Sequence, residues 1–208
     1  AGARLVAAAG LLLALAGLHP APAVAQEAGE APKYGNAESW NLTSATVVDK
    51  GQTSNIEGKL VQNFTLEAKA TATNQADSLV PAGTFRLVMS AFSPASDQRG
   101  QKKGVWYVHG KWTLTDEKAP AAGHAGPQAG VISGQINAEL PFNPIATPKD
   151  WVGKIRLPIA RIVPVGQTGT MQLSRGGEGT LALDSKREGK LSLNLRLQPV
   201  MLNPEGVR

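Results

Sequence analysis

The sequence predicts an all-β fold: a mostly antiparallel β-sandwich or up-and-down barrel of about eight to ten strands, following a cleaved signal peptide. Three observations predict it. Six stretches alternate apolar and polar residues one by one, Gly- and Pro-bearing turns fall between them, and no segment past residue 26 keeps a helical 3.6-residue period. Short connections between alternating strands favour antiparallel neighbours, because a parallel crossover needs a dozen or more residues.

The first element is the leader, residues 1–25. Arg4 is its one charge, and Leu5 to Leu18 is a 14-residue apolar run, too short for the roughly 20 residues that span a bilayer. His19-Pro20 breaks it, and Ala23-Val24-Ala25 places small residues where a leader peptidase cuts. Residues 26–37 are polar, with Pro and Gly, and read as a flexible lead-in. Residues 38–208 read as a single β domain.

Within that domain Phe64, Leu66, Ala68, Ala70 and Ala72 alternate with Thr65, Glu67, Lys69 and Thr71, so one face of the segment is dry and the other wet. Phe85-Leu87-Met89-Ala91 repeats the pattern, as do Trp106-Val108-Gly110-Trp112-Leu114, Ile132-Gly134-Ile136-Ala138-Leu140 and Leu191-Leu193-Leu195-Leu197. Ile155, Leu157 and Ile159 form a further dry set, with Pro158 marking an edge strand or a bulge. Reversals are expected at Val80–Gly83, Arg99–Gln101, Val165–Gln167, Arg175–Gly177 and Arg187–Gly189. The Gly-rich run Gly176–Gly179 reads as a hairpin turn and not as a nucleotide loop. Residues 116–130, rich in Ala, Gly and Pro, form the longest loop. The irregular stretch Phe142–Pro148 reads as a crossing between sheets or a subdomain boundary.

Composition narrows the chemistry. The 208 residues contain no Cys, which removes disulfides, thiolate metal sites and Cys nucleophiles. A mean hydropathy of -0.14 argues against an integral membrane protein of many spans. An exported chain without cysteine suits a bacterial periplasm or the extracellular surface. The expected localisation is therefore periplasmic or extracellular.

Catalytic constellations are not evident. No G-x-S-x-G elbow, phosphate-cradling loop or calcium-loop spacing occurs. The histidines past the leader are His109, mid-strand, and His124, in the long loop; they are the candidate metal ligands. His109 stands roughly 20 Å along a strand from the start of that loop, so no metal site is expected, and no cofactor is implied.

Binding residues are easier to nominate. Trp106 and Trp112 share the dry face, so Tyr107, His109 and Lys111 form a polar-aromatic stripe on the outside. From residue 149 onward ten bases stand against five acids. Lys154, Arg156 and Arg196 are the strand-borne bases of that half nominated for contact with an acidic protein, a polysaccharide or an anionic membrane surface. Nucleic acid is not expected, since no recognition helix or aromatic-basic platform motif appears.

The expected role is thus a secreted, non-catalytic binding or assembly domain with an acidic, glycan or protein partner. One alternative is a β-barrel carrier, its lumen lined by the small residues Ala68, Ala70, Ala72, Ala91, Gly110, Gly134 and Ala138 and filled by a lipid or other apolar ligand. Another is an enzyme with a site borne on loops 94–103 and 116–130, although a plain meander places those loops at opposite ends.

Overall fold

The computed structural model describes residues 33–94, 102, 104–120, 129–164 and 170–201. The leader 1–25, the tips of both long loops, His124 and the turns at Arg99–Gln101 and Val165–Gln167 lie outside the described residues.

Ten strands run β1 (Lys33–Asp49), β2 (Thr53–Ile56), β3 (Lys59–Ala72), β4 (Ala82–Pro94), β5 (Trp106–Asp116), β6 (Val131–Leu140), β7 (Trp151–Leu157), β8 (Ala160–Ile162), β9 (Thr170–Leu183) and β10 (Gly189–Met201). β1 begins inside the stretch read as lead-in. The strands pair in the order β1-β10-β9-β7-β6-β5-β4-β3, and β1 also pairs with β3, so eight strands close into an antiparallel barrel. It is a barrel and not a sandwich, and closure leaves those eight without a free sheet edge along their paired lengths. β2 extends one rim as a hairpin with β3, and β8 continues the line of β7 along β9. The β2–β3 turn is two residues, Glu57 and Gly58, with φ of 50° and 75°; both are left-handed, as tight hairpins with native twist require.

The alternating residues divide as the sequence suggests. Leu66, Phe85, Leu87, Leu114, Ile136, Leu181 and Leu191 point inward with no exposed surface, and Trp112 is almost as deeply buried. A void wide enough for water would leave accessible surface on its walls, and at these residues there is none. The small inward residues make room for large neighbours: a Cβ on Gly134 would stand 2.8 Å from the Trp112 ring. Eight strands enclose about enough space for side chains to fill. Outward positions carry Lys, Arg, Thr, Ser and Glu, the reverse of a barrel that faces lipid. No helix among the described residues is long and apolar enough to cross a membrane.

Both ends are closed by packed side chains. At one, Val80 is fully buried and its carbonyl accepts a hydrogen bond from Trp40 Nε1–H at 2.8 Å. At the other, Ile145 is buried beneath the 141–150 connection, held by Asn143 Oδ1, which accepts from the Ile145 and Ala146 amides. That stretch caps a barrel end; it is neither a sheet crossing nor a subdomain boundary. The guanidinium of Arg187 lies 5.5 Å above the Phe64 ring and donates to the Ile145 carbonyl.

Two expectations are corrected. Arg175–Gly177 is no reversal, since β9 runs straight through it from Thr170 to Leu183. Leu195 pairs with Gly177 but Leu197 with Ser174, so Arg175 and Gly176 together oppose Arg196 alone. This is a β-bulge, and Gly176, at φ 113°, supplies the left-handed residue that a turn would also use. The dry set Ile155-Leu157-Ile159 breaks after Leu157: Ile159 is 75% exposed. Pro158 cannot donate to the ladder, and it interrupts the strand facing the bulge, between β7 and β8. β7 is no edge strand, because β6 and β9 flank it.

Candidate functional site

Neighbouring strands of the barrel are joined over very different lengths. β5 and β6 pair at ten positions, but β6 and β7 at three: Gln135 with Arg156, Ile136 with Ile155, and Asn137 with Lys154. Beyond Asn137 the two strands part, and the outer wall sinks into a groove of about 680 Å³. β5 contributes Tyr107 and His109 to it, β6 Asn137 and Glu139, and β7 Val152 and Lys154, with Phe92 of β4 behind.

The side chains are held in place. The Tyr107 ring stacks on Phe92 with centroids 5.5 Å apart and planes 24° from parallel, and its hydroxyl accepts from the Lys102 amide at 2.9 Å. Lys59 Nζ lies 5.9 Å from the Phe92 centroid on the same aromatic pair. His109 Nδ1 and Asn137 Oδ1 are 2.8 Å apart. An amide oxygen only accepts, so the proton sits on Nδ1, and in the neutral ring Nε2 is left as an acceptor. Val152, 60% exposed, adds an apolar wall. The groove thus sets an imidazole, a carboxamide, a carboxylate and an ammonium around an aromatic platform, groups that can pack on an apolar face and exchange hydrogen bonds with hydroxyls.

The nominated residues fall into three places. Tyr107, His109 and Lys154 meet in the groove. Arg156 and Arg196 line a second hollow of about 620 Å³, together with Arg175, Glu178 and Asn194. Lys111 lines neither: it is exposed one row along the same wall, paired with Val88 and Gln135. The outward residues of β5, β6, β7, β9 and β10 include six bases (Lys111, Lys154, Arg156, Arg175, Lys190 and Arg196) against the two acids Glu139 and Glu178.

Sequence reasoning missed Phe92, Val152, Asn137, Glu139 and Arg175. Alternation did place Asn137 and Glu139 on the wet side of their strand; what it lacked was the register that sets them beside His109 and Tyr107. Arg175 was hidden in the supposed turn.

No three His, Asp or Glu side chains gather as a metal set among the described residues. The flanks of the two long loops do lie at opposite ends of the barrel, since β4–β5 and β5–β6 are successive antiparallel connections. A titratable group outside both hollows is perturbed. Glu38, at the barrel end closed by Val80, has its pKa raised by burial, against the opposing effect of hydrogen bonds donated by the Ser78 hydroxyl and the Leu79 amide.

No family model, curated protein or solved structure compared with the chain matches it.

Proposed function

We propose that the protein is an exported binding domain that works in the periplasm or outside the cell and holds a glycan segment against its outer wall, in the groove between β6 and β7. The observation that carries this reading is the groove itself: a braced aromatic ring, Tyr107 on Phe92, beside His109, Asn137, Glu139 and Lys154. A sugar ring offers a C–H face that packs on an aromatic plane and an equatorial rim of hydroxyls that pair with planar polar side chains. The filled lumen supports an external site over a carrier's internal one, since the inward walls already touch one another. The net positive wall around the groove favours an acidic glycan.

The test is a glycan-array screen of the purified protein, followed by titration of the best oligosaccharide. Tyr107→Ala is expected to weaken that binding at least tenfold, about 1.4 kcal/mol, with the melting temperature little changed. Equal binding by Tyr107→Ala and the parent protein rejects the groove.

A further inference from the structure

The groove has a direction. β5, β6 and β7 each give it two successive outward residues, and β4 gives Phe92. It spans four strands one way and two outward positions the other, so its long axis crosses the strands. Register sorts its residues into two rows that continue past it. One row is Val61, Phe92, Tyr107 and Glu139, each paired with the next from β3 to β6. The other is Asn63, Ser90, His109, Asn137 and Lys154, each paired with the next from β3 to β7. All of them are exposed or half-buried. At about 4.8 Å per strand the second row is roughly 19 Å long, and the two rows lie about 7 Å apart.

The rows differ in chemistry. The first is apolar and aromatic over three strands: Val61 lies beside Phe92, whose ring stacks on Tyr107. The second is polar throughout and braced, with the Ser90 hydroxyl donating to Asn63 Oδ1 at 2.7 Å and His109 Nδ1 donating to Asn137 Oδ1 at 2.8 Å. Each asparagine thus turns its oxygen to a neighbour, and its amide nitrogen is the donor it can offer a ligand. A basic side chain stands at either end, Lys154 on β7 and Lys59 on β3, the latter 5.9 Å from the Phe92 centroid. β4 and β5 are paired on both sides along these rows, so an extended peptide finds no free sheet edge to join there. A ligand on this track is read by side chains.

Resting on the reading of this groove as a glycan site, we infer that the bound glycan is a linear acidic chain lying across the strands, and that Val61, Asn63 and Ser90, outside the groove, hold its far end. Successive sugars repeat one demand, an apolar face beside a rim of hydroxyls, and the paired rows meet it from one strand to the next. Anionic groups along the chain meet Lys154 at one end and Lys59 at the other. Affinity therefore grows with chain length until the track is filled.

The test uses the full chain and the best-binding acidic oligosaccharide of the array, prepared as di-, tetra-, hexa- and octasaccharides. Each is titrated by calorimetry and amide chemical shifts. Affinity is expected to rise about tenfold from disaccharide to hexasaccharide and then to level off. The disaccharide shifts amides at His109 and Asn137, and the hexasaccharide adds Asn63 and Ser90. Asn63→Ala/Ser90→Ala, two surface changes, weakens the hexasaccharide about fivefold and leaves the disaccharide unchanged. Gln135→Ala, one outward position further along β6, affects neither. Tyr107→Ala weakens every length. Affinity independent of length, or a hexasaccharide that responds to Gln135→Ala and not to the double variant, overturns the inference while Tyr107→Ala still tests the groove. No effect of Tyr107→Ala at any length rejects the groove and the inference with it. An acidic peptide of matched charge that binds more tightly than the hexasaccharide removes the glycan as occupant.

Discussion

The seam between β3 and β4 and the seam between β6 and β7 belong to one barrel wall and are built in opposite ways. β3 and β4 pair without interruption at thirteen positions, from Lys59–Pro94 to Thr71–Ala82. Outside, Arg86 pairs with Glu67 at 2.9 Å and the Ser90 hydroxyl donates to Asn63 Oδ1 at 2.7 Å, so side chains there brace one another. β6 and β7 pair at three positions, and their outward residues turn to a groove. A long ladder brings facing side chains into register, and here it joins four outward polar residues in two pairs. A short one leaves a groove, at the cost of backbone pairing that the lumen must make good. The Trp112 indole is part of that compensation: it is buried, it stacks with Phe85, and its Nε1–H donates to the Gln135 carbonyl on β6 at 3.2 Å.

That contrast is open to attack from the inside first. Trp112→Ala removes the side chain that fills the lumen behind the short seam, and a loss of about 3–5 kcal/mol in urea denaturation is expected. A loss under 1 kcal/mol would mean that the lumen does not support the seam.

Gly134→Ala strikes the seam itself. Its Cβ would stand 2.5 Å from the Arg156 carbonyl oxygen and 2.8 Å from the Trp112 ring. β7 must move outward, and overpacking of this kind costs about 1–3 kcal/mol. Amide exchange at Gln135–Asn137 should quicken while that at Phe64–Ala68, on the long seam, stays as it was. Uniform quickening would show that the two seams open as one unit.

The smallest effect lies at the barrel end. Burial raises the Glu38 pKa above its unfolded value, so Glu38 binds its proton more tightly in the folded chain. Its contribution to stability is whole below the ordinary carboxylate range and is lost as pH rises through the raised folded value. Glu38→Gln keeps an oxygen for Ser78 and Leu79 and removes the charge. It should flatten that part of the stability–pH curve and melt slightly higher than the parent at neutral pH. A parallel curve would assign the pH dependence to other groups.

Much of this architecture is legible from residue order, because burial on a strand is periodic. Phe64 to Ala72, Phe85 to Ala91 and Leu191 to Leu195 fall inside where alternation puts them. Gly176 shows the limit: a left-handed glycine serves a turn or a bulge equally well, and only the partner strand distinguishes them. Pro158 shows another, since a missing donor signals a break in pairing but not which neighbour is lost.

The amino-acid order alone determined the strand class, the wet side of the alternating segments as far as Leu157 on β7, and the outward stripe of Tyr107, His109 and Lys111, all of which depend on neighbours one or two residues away. Closure into a barrel, the filled lumen and the meeting of Tyr107 with Lys154 or of Arg175 with Arg156 and Arg196 were decided in three dimensions. Those outcomes depend on register, and register is a property of strand pairs distant in the chain.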